Sequence, residues 1–449
     1  MSTEDPIRAL LQLPVHGAGL PLHRMLHVVD ALEHCAPAWV TALDAIKITG
    51  SNGKGSVCTM VAAILGAVGL KVGLYTSPHL LRFGERIVVD GRPIDGAELH
   101  QSHAWFQRLR EDYLDAHPGD DFGAFEAITA VALHRFARAN VDVVVAEAGI
   151  GGRYDATRAI PGRTCGLVSV DLEHTTLLGS TAETIAFDKS ELCPPGGTLL
   201  TGPLPVSLRR RLHAHCRLRE VELGGVHERT EARVRTQSLE GTTAWMAVDD
   251  LLVPALELPV PGEHQLDNAA LAIALARHWL SRHRPELASA ALGAAIPRAL
   301  AGLKLPGRLE VVAHEPTVIV DVGHTPAATA AVARTLEPLV GTRAAILVVG
   351  ISEDREPDAI VEPLLALASE VIVTRAHHRG GEPSRLRPVL ERWAQGPWSV
   401  VPTIEQAMVL ACEHARTQGR PVVVAGGLFL AMEAKATMGG GDPAMILRG

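Results

Sequence analysis

Residues Gly50-Ser51-Asn52-Gly53-Lys54-Gly55-Ser56 make a turn that few folds can accommodate. Before it, Ala45 to Thr49 reads as a short buried strand; after it, Val57, Met60, Val61, Ile64, Leu65 and Val68 recur at helical spacing. A strand, a glycine loop and a helix in that order aim backbone N–H groups at whatever sits on the helix N-terminus, and this favours an anion. Lys54 adds a cation and Ser56 a hydroxyl suited to a magnesium ion, so Gly50, Ser51, Asn52, Gly53, Lys54, Gly55 and Ser56 are candidate phosphate-binding residues. The spacing is not that of GxxxxGK[ST]: two residues separate Gly50 from Gly53, and Gly55 intervenes before Ser56. A purely structural glycine turn is the competing reading of the loop taken alone.

Further strands are predicted at Val141 to Glu147, which runs into Ala148-Gly149-Ile150-Gly151-Gly152, and at Gly166 to Val170, which ends near Asp171 and His174. Ligands of open α/β sheets bind beyond the carboxyl ends of strands, so these ends are expected to surround one site. From Val206 to Pro261 helical periodicity is weak and alternating stretches suggest an antiparallel excursion. Helices are predicted at Asn268 to Leu280 and Glu286 to Leu300, followed by the breaker Leu305-Pro306-Gly307. Strands expected at Thr317 to Asp321, Ala344 to Val349, Glu370 to Thr374, Ser399 to Val401 and Pro421 to Ala425, with helices between several of them, indicate a second parallel sheet. The division expected is 1–300 and 301–449.

A chain of 449 residues with 47% apolar content can fill more than one core. Its formal charge of −8 gives no general attraction to nucleic acid or anionic lipid, so small molecules are the expected partners. The six cysteines form no CxxC pair. His213, His215 and Cys216 lie close in sequence, but with no second ligand cluster a solvated helix face is the better reading. The first residues, MSTEDPIRALLQLP, do not read as a signal peptide, and no apolar run is long enough to span a bilayer, so a cytoplasmic location is expected.

The loop Thr49 to Ser56 resembles that of the Mur ligase superfamily, and within it the folylpolyglutamate synthase/dihydrofolate synthase family. Similar segments continue in order: Thr76-Ser77-Pro78-His79-Leu80 with Glu85-Arg86-Ile87, Phe125-Glu126, Glu147 through Thr157, and His174 with Leu178-Gly179-Ser180-Thr181, which is similar to a "DHxxxLGxT" stretch. Gly262-Glu263-His264-Gln265 with Asn268, Pro306-Gly307-Arg308, the turn at Asp321, Gly323, His324 and Pro326, and Gly426-Gly427-Leu428 extend the likeness along nearly the whole chain. The resemblance implies an amino-terminal P-loop ATPase domain and a carboxy-terminal Rossmann-like domain that close over one interdomain site.

It also implies a chemistry that the residue types can serve. A carboxylate is a poor electrophile until ATP converts it to an acyl phosphate, which an amine then displaces. Such a site needs positive charge and positioning more than a covalent nucleophile. Lys54, Ser56 and Arg308 suit those needs, and Glu147, at a strand end beside a glycine turn, suits a Mg²⁺ carboxylate. By resemblance, His174 is a second-metal ligand and Lys189 a lysine that becomes carbamylated and turns toward a second Mg²⁺. Also by resemblance, Asn268 and His324 lie near adenine or ribose, and Asp321 holds ribose or orients the amine; His79 and Asp155 are expected in the acceptor or catalytic region. ATP, two Mg²⁺ ions, a pterin or folate carboxylate and L-glutamate are the implied ligands, and a monomer is expected. Thr325 and Arg158 stand where the family has asparagine, and Ser190-Glu191 follow Lys189 where it has Ala-Gly. These departures keep open a paralogue that joins another acid and amine. A kinase and a nucleotide-binding regulator without turnover are further readings.

Overall fold

Four consecutive buried residues, Ile46–Thr49, form β1, which ends at the glycine loop. Strands β2 (Val72–Tyr75), β3 (Ile87–Val89), β4 (Arg92–Pro93), β5 (Val143–Glu147), β6 (Thr164–Leu167), β7 (Thr198–Thr201) and β8 (Glu222–Gly225) join it in one sheet ordered β4-β3-β2-β5-β1-β6-β7-β8. All neighbours from β2 to β8 are parallel, and β3 and β4 add an antiparallel edge. Helices cover both faces, so β1 and β5 are buried along their whole length; β5 reads as an apolar run up to Glu147, whereas β1 alternates Ile46 and Ile48 with the buried polar residues Lys47 and Thr49. Each large apolar side chain so enclosed contributes about 1.5–3 kcal/mol.

On one face the helix Lys54–Ala67 packs against Glu263–His283. The latter is alanine-rich because Ala269, Ala270, Ala272, Ala274 and Ala276 are buried where the helix lies on the sheet and its neighbour. The other face is covered by a second apolar cluster that includes Ala124–Ala139. The computed structural model describes residues 5–15, 17–19, 22–288, 290–441 and 443; part of the segment read for a leader, and residue 289 of the helix expected from Glu286, lie outside them.

The antiparallel excursion exists but begins later than expected. Val206–Leu218 is a helix that buries Leu208, Leu212 and Cys216 at a spacing of four, and β8 then pairs parallel with β7. The arginines and histidines between those positions masked the period. Only β9 (Thr230–Ser238), β10 (Gly241–Val248) and β11 (Leu251–Leu258) form the antiparallel sheet. The strand expected at Gly166 to Val170 lies at Thr164–Leu167, and the helix expected from Glu286 begins as a short 3₁₀ turn at Pro285–Leu287 before Ala290–Ala301.

The second large sheet contains β12 (Glu310–His314), β13 (Thr317–Val320), β14 (Ala345–Val349), β15 (Ala368–Val373), β16 (Trp398–Val400) and β17 (Val422–Ala425), ordered β12-β13-β17-β14-β15-β16. β12, absent from the sequence expectation, is a half-buried antiparallel edge strand on β13. The remaining pairs are parallel. No helix among the described residues is long and apolar enough to cross a membrane.

Candidate active site

The glycine loop is fixed before any ligand arrives. Ser51 N donates to Ser169 O at 3.0 Å, Asn52 N donates to Ser169 Oγ at 2.9 Å, and Asn52 Nδ2 donates to Asp171 Oδ2 at 2.6 Å. Gly53 takes φ +81° to open the helix Lys54–Ala67, and a Cβ there would come within 2.8 Å of Asn268 Oδ1. That position therefore needs glycine twice over, for its dihedral and for the close approach of Asn268. Lys54 folds back and donates to Gly50 O at 2.8 Å.

Next to this helix start, Glu147 at the end of β5 is buried and accepts from Ser77 N at 3.0 Å. Burial pushes its carboxyl upward, against the pull of Lys54, Arg308 and Arg86. A Cβ on Gly55 would lie 3.4 Å from Glu147 Oε2, so the carboxylate faces the first turn of the helix directly. Ser56 is buried and its hydroxyl has no hydrogen-bond partner. An orphaned hydroxyl beside a buried carboxylate at a helix N-terminus fits a hard cation carried in by a phosphate. Among the described residues no three His, Cys, Asp or Glu side chains form a metal cage.

Beyond β6, Lys189 and Glu173 form a buried ion pair, Nζ to Oε1 at 2.8 Å. Burial pushes the lysine below its ordinary range, while Glu173 pulls it back up. His174 follows with φ 45° and is held toward its neutral form, first by burial. Lys54 is near enough to act on Glu147, Glu173, His174 and Lys189 alike, so the loop, β5 and the segment after β6 surround one space. Glu173 was not singled out from the sequence; the acidic residue that precedes histidine in the "DHxxxLGxT" stretch is the signal that marks it.

Across the cleft, Arg308 acts on both Glu147 and Asp321. Asp321 is buried and accepts from Gly323 N at 2.7 Å and Leu309 N at 3.0 Å, so its carboxylate braces the turns on either side of it. His324 lies within 3.1 Å of Val322 O through Nδ1, and burial lowers its pKa to about 4. Arg355, which the sequence marks only within Glu353-Asp354-Arg355-Glu356, a partial match to an acidic-lysine-acidic segment of the family, acts on His174 and on His324. Thr325 caps the helix Pro326–Val340 and donates to Asn52 Oδ1 at 3.1 Å, which ties the second sheet to the glycine loop. The threonine thus fills a defined place, as cap and as tether. Asn268 bonds Gln265 at 3.0 Å and lies against Gly53, on the loop itself.

Two cavities meet at Ser77 and Pro78, which line both. One, of about 950 Å³, runs past Gly55, Ser56, Glu147 and Arg308. The other, of about 600 Å³, has apolar walls that include Phe125, Ile150, Leu178 and Phe187, with Arg86 and Asp155 among its polar groups. Asp155 is buried and accepts from Gly149 N at 2.8 Å and Ile150 N at 3.1 Å, so it shapes the wall. His79 accepts from Arg86 Nε at 2.7 Å, next to the same cavity. His213 and His215 part company: His213 is exposed, whereas His215 stacks on Phe187 with centroids 4.3 Å apart.

A glycine-loop sheet facing a second parallel sheet, with a lysine, an orphaned serine and a buried glutamate between them, is the layout of a Mur-type ligase. Residues 307–428 match the glutamate ligase domain of the Mur ligases. Folylpolyglutamate synthase from Lacticaseibacillus casei is 30% identical over 398 residues, which cover 88% of this chain and 90% of that protein. The chain belongs to the folylpolyglutamate synthase/dihydrofolate synthase family. A "probable bifunctional folylpolyglutamate synthase/dihydropteroate synthase" of Halobacterium salinarum is 36% identical over 87% of this chain, and the match spans 46% of that longer protein. Among solved structures, the ADP complex of Mycobacterium tuberculosis folylpolyglutamate synthase superposes with a TM-score of 0.83 at 26% identity, covering 96% of this chain and 97% of that one.

Proposed function

We propose that the protein is an ATP-dependent amide ligase that adds L-glutamate to dihydropteroate, to a reduced folate, or to both. The observation that carries this reading is the junction at Ser77. Its backbone N–H holds Glu147 beside the glycine loop, and the same residue opens onto the apolar cavity that suits a flat aromatic acceptor. A carboxylate reaching inward from that cavity would meet a γ-phosphate held on the loop.

The carboxylate oxygen attacks the γ-phosphorus and ADP leaves; the amine of glutamate then attacks the acyl carbon, the C–O bond to phosphate breaks, inorganic phosphate leaves, and the nitrogen loses a proton as the amide forms. Gly50 to Ser56 cradle the phosphates through backbone N–H groups. Lys54 exchanges its bond to Gly50 O for the β/γ-phosphate oxygens and keeps the reacting ends in line. Ser56 and Glu147 would hold one Mg²⁺, which supplies neutralisation of phosphate charge when bound. Arg308 approaches from the second sheet toward the transferred group, and Asn268 and His324 flank the nucleotide. Asp321 keeps the Arg308 turn and the His324 turn in register through its two backbone bonds.

Lys189 is the residue for carbamylation. A lysine whose buried ammonium is disfavoured offers the neutral amine that reacts with CO₂, and the carbamate, with Glu173 and His174, would make a site for the second Mg²⁺. ¹³C-bicarbonate added to the protein should give a carbamate resonance that is absent from Lys189→Ala. The nucleotide-binding part is residues 1–300 and the closing part 301–449, acting as a cytoplasmic monomer. Purified protein with ATP, Mg²⁺, glutamate and each pterin should yield a product heavier by one glutamyl residue. Failure with every pterin, beside ligation of another acid and amine, would reject the folate assignment and keep the ligase mechanism.

A further inference from the structure

Two loops leave the carboxyl ends of the neighbouring strands β14 and β15, and the first carries a cation to the cleft. Arg355, after β14, is near enough to act on His174 across the cleft and on His324 beside it. Its guanidinium has little of its own to hold it: among the described residues its ion contact is the exposed neighbour Asp354, at 3.8 Å. Where Arg355 points is therefore decided by its backbone.

That backbone runs from Val349 to Pro357 without helix or strand, and it is held from the second loop. Gly381 N donates to Ile351 O at 2.9 Å, Glu353 N donates to Arg379 O at 3.2 Å, and Ser352 pairs with Gly380 as an isolated antiparallel bridge. The widest tie is Arg385, on the short 3₁₀ turn Pro383–Leu386. Its Nη1 donates to Glu353 O at 2.7 Å and to Ser352 O at 3.4 Å, and its Nη2 donates to Arg355 O at 2.7 Å. Three carbonyls from four consecutive residues converge on one planar fork.

Two features mark this as a built clamp. Arg385 enters no ion pair among the described residues, so its charge is directed at carbonyls, which a guanidinium holds by charge-assisted bonds in a fixed plane. Gly381 makes room for it: a Cβ there would come within 3.0 Å of Arg385 Nη1 and 3.3 Å of Glu353 Cα. The second loop is itself anchored, because buried Glu433 accepts from His377 N and His378 N. Support thus runs from the helix Leu428–Met438, through the loop after β15, to the turn that carries Arg355.

We propose that Arg385 is a positioning residue for the reaction and that it acts through Arg355: by gathering the carbonyls of Ser352, Glu353 and Arg355 it sets the place from which the Arg355 guanidinium faces His174. This rests on the ligase reading above. A group misplaced by about 1 Å can cost about 10²-fold in rate, so a clamp remote from the reacting atoms matters nearly as much as the group it places.

The test is a double-mutant cycle on kcat/KM, using the full chain with ATP, Mg²⁺, glutamate and a pteroate-type acceptor, alongside ADP binding by calorimetry and the melting temperature. Arg385→Gln should lower kcat/KM by about thirtyfold and Arg355→Gln by about a hundredfold, with ADP affinity kept within about twofold. The double variant should be no worse than Arg355→Gln alone, because the clamp has nothing to place once Arg355 is gone. Arg385→Lys, a single ammonium in place of the fork, should recover only part of the loss. Gly381→Ala should reproduce the loss without removing a charge, and it carries the test if Arg385→Gln does not fold. Full multiplication of the two losses, or unchanged kcat/KM in Arg385→Gln and in Gly381→Ala, would overturn the inference while leaving the ligase reading intact. No transfer to any acceptor by the intact protein would overturn the ligase reading and, with it, the role of Arg385.

Discussion

The two parallel sheets use their carboxyl-terminal strand ends differently. On the first sheet polar groups are buried and left with capacity: the Ser56 hydroxyl has no partner, Glu147 holds one backbone N–H, and Lys189 and Glu173 form an ion pair within reach of Lys54. On the second sheet the groups around Arg308 and His324 are occupied by their own backbone: Asp321 takes two N–H groups and Thr325 caps a helix, while Glu433, on the helix after β17, accepts from His377 N at 2.7 Å and His378 N at 3.0 Å; the Thr374 hydroxyl, after β15, has no partner. The difference teaches a division of labour. On the proposed function, the unsatisfied groups on the first sheet are those that would take ligand and metal, whereas the satisfied groups on the second would hold the turns of Arg308 and His324 in place.

If that division is right, mutations on the two sides should fail differently. Lys54→Ala on the first sheet should lower ligation by about 10³-fold or more with the melting temperature nearly unchanged, because its side chain neutralises phosphate and supports no core. A folded variant with near-normal turnover would remove the lysine from the mechanism. Glu173→Gln should lower stability to urea by less than the roughly 3–5 kcal/mol of a buried pair broken with its charge kept, since Lys189 can lose its proton once Glu173 no longer pulls it up. An unchanged midpoint would mean that Lys189 does not carry its charge there.

The second sheet should speak through stability and pH. His324 has its pKa lowered from 6.5 to about 4, so the folded state refuses a proton that the unfolded chain accepts below about 6.5. Its neutral form is favourable to folding above that range, and stability should fall as pH drops from about 6.5 to about 4, by up to about 3 kcal/mol. His324→Gln should flatten that slope in melting curves recorded across the interval; an identical slope would assign the acid loss to other groups. The smallest effect belongs to Thr325→Ala, about 1 kcal/mol for the lost helix cap, with a rise in KM for ATP as the tether to Asn52 goes. Thr325→Ser should restore both.

Much of the first sheet was legible because its signals are local. Gly53 must be glycine for its own dihedral, Lys54 and Ser56 follow it on one helical turn, and Glu147 ends an apolar strand, so a short window carries each inference. Groups recruited from a distance were not legible in that way. Glu173 acquires meaning only because the helix Ala182–Ser190 brings Lys189 beside it, and Arg355 only because the second sheet brings it toward His174. The same reason hid the partnership of Arg158 with Glu191, which sequence could show only as two separate departures. In the helix Val206–Leu218 the apolar positions are few and spaced by four among basic residues, so the period was drowned by composition.

The claim on which all of this depends is that the acceptor carboxylate passes through an acyl phosphate formed at the loop beside Glu147. Acceptor labelled with ¹⁸O in the reacting carboxylate tests it directly, by mass analysis of the phosphate released with ATP, Mg²⁺ and glutamate present. The expected result is one ¹⁸O in the phosphate for each amide formed, and loss of both products together in Lys54→Ala. Amide formation with unlabelled phosphate would contradict the mechanism.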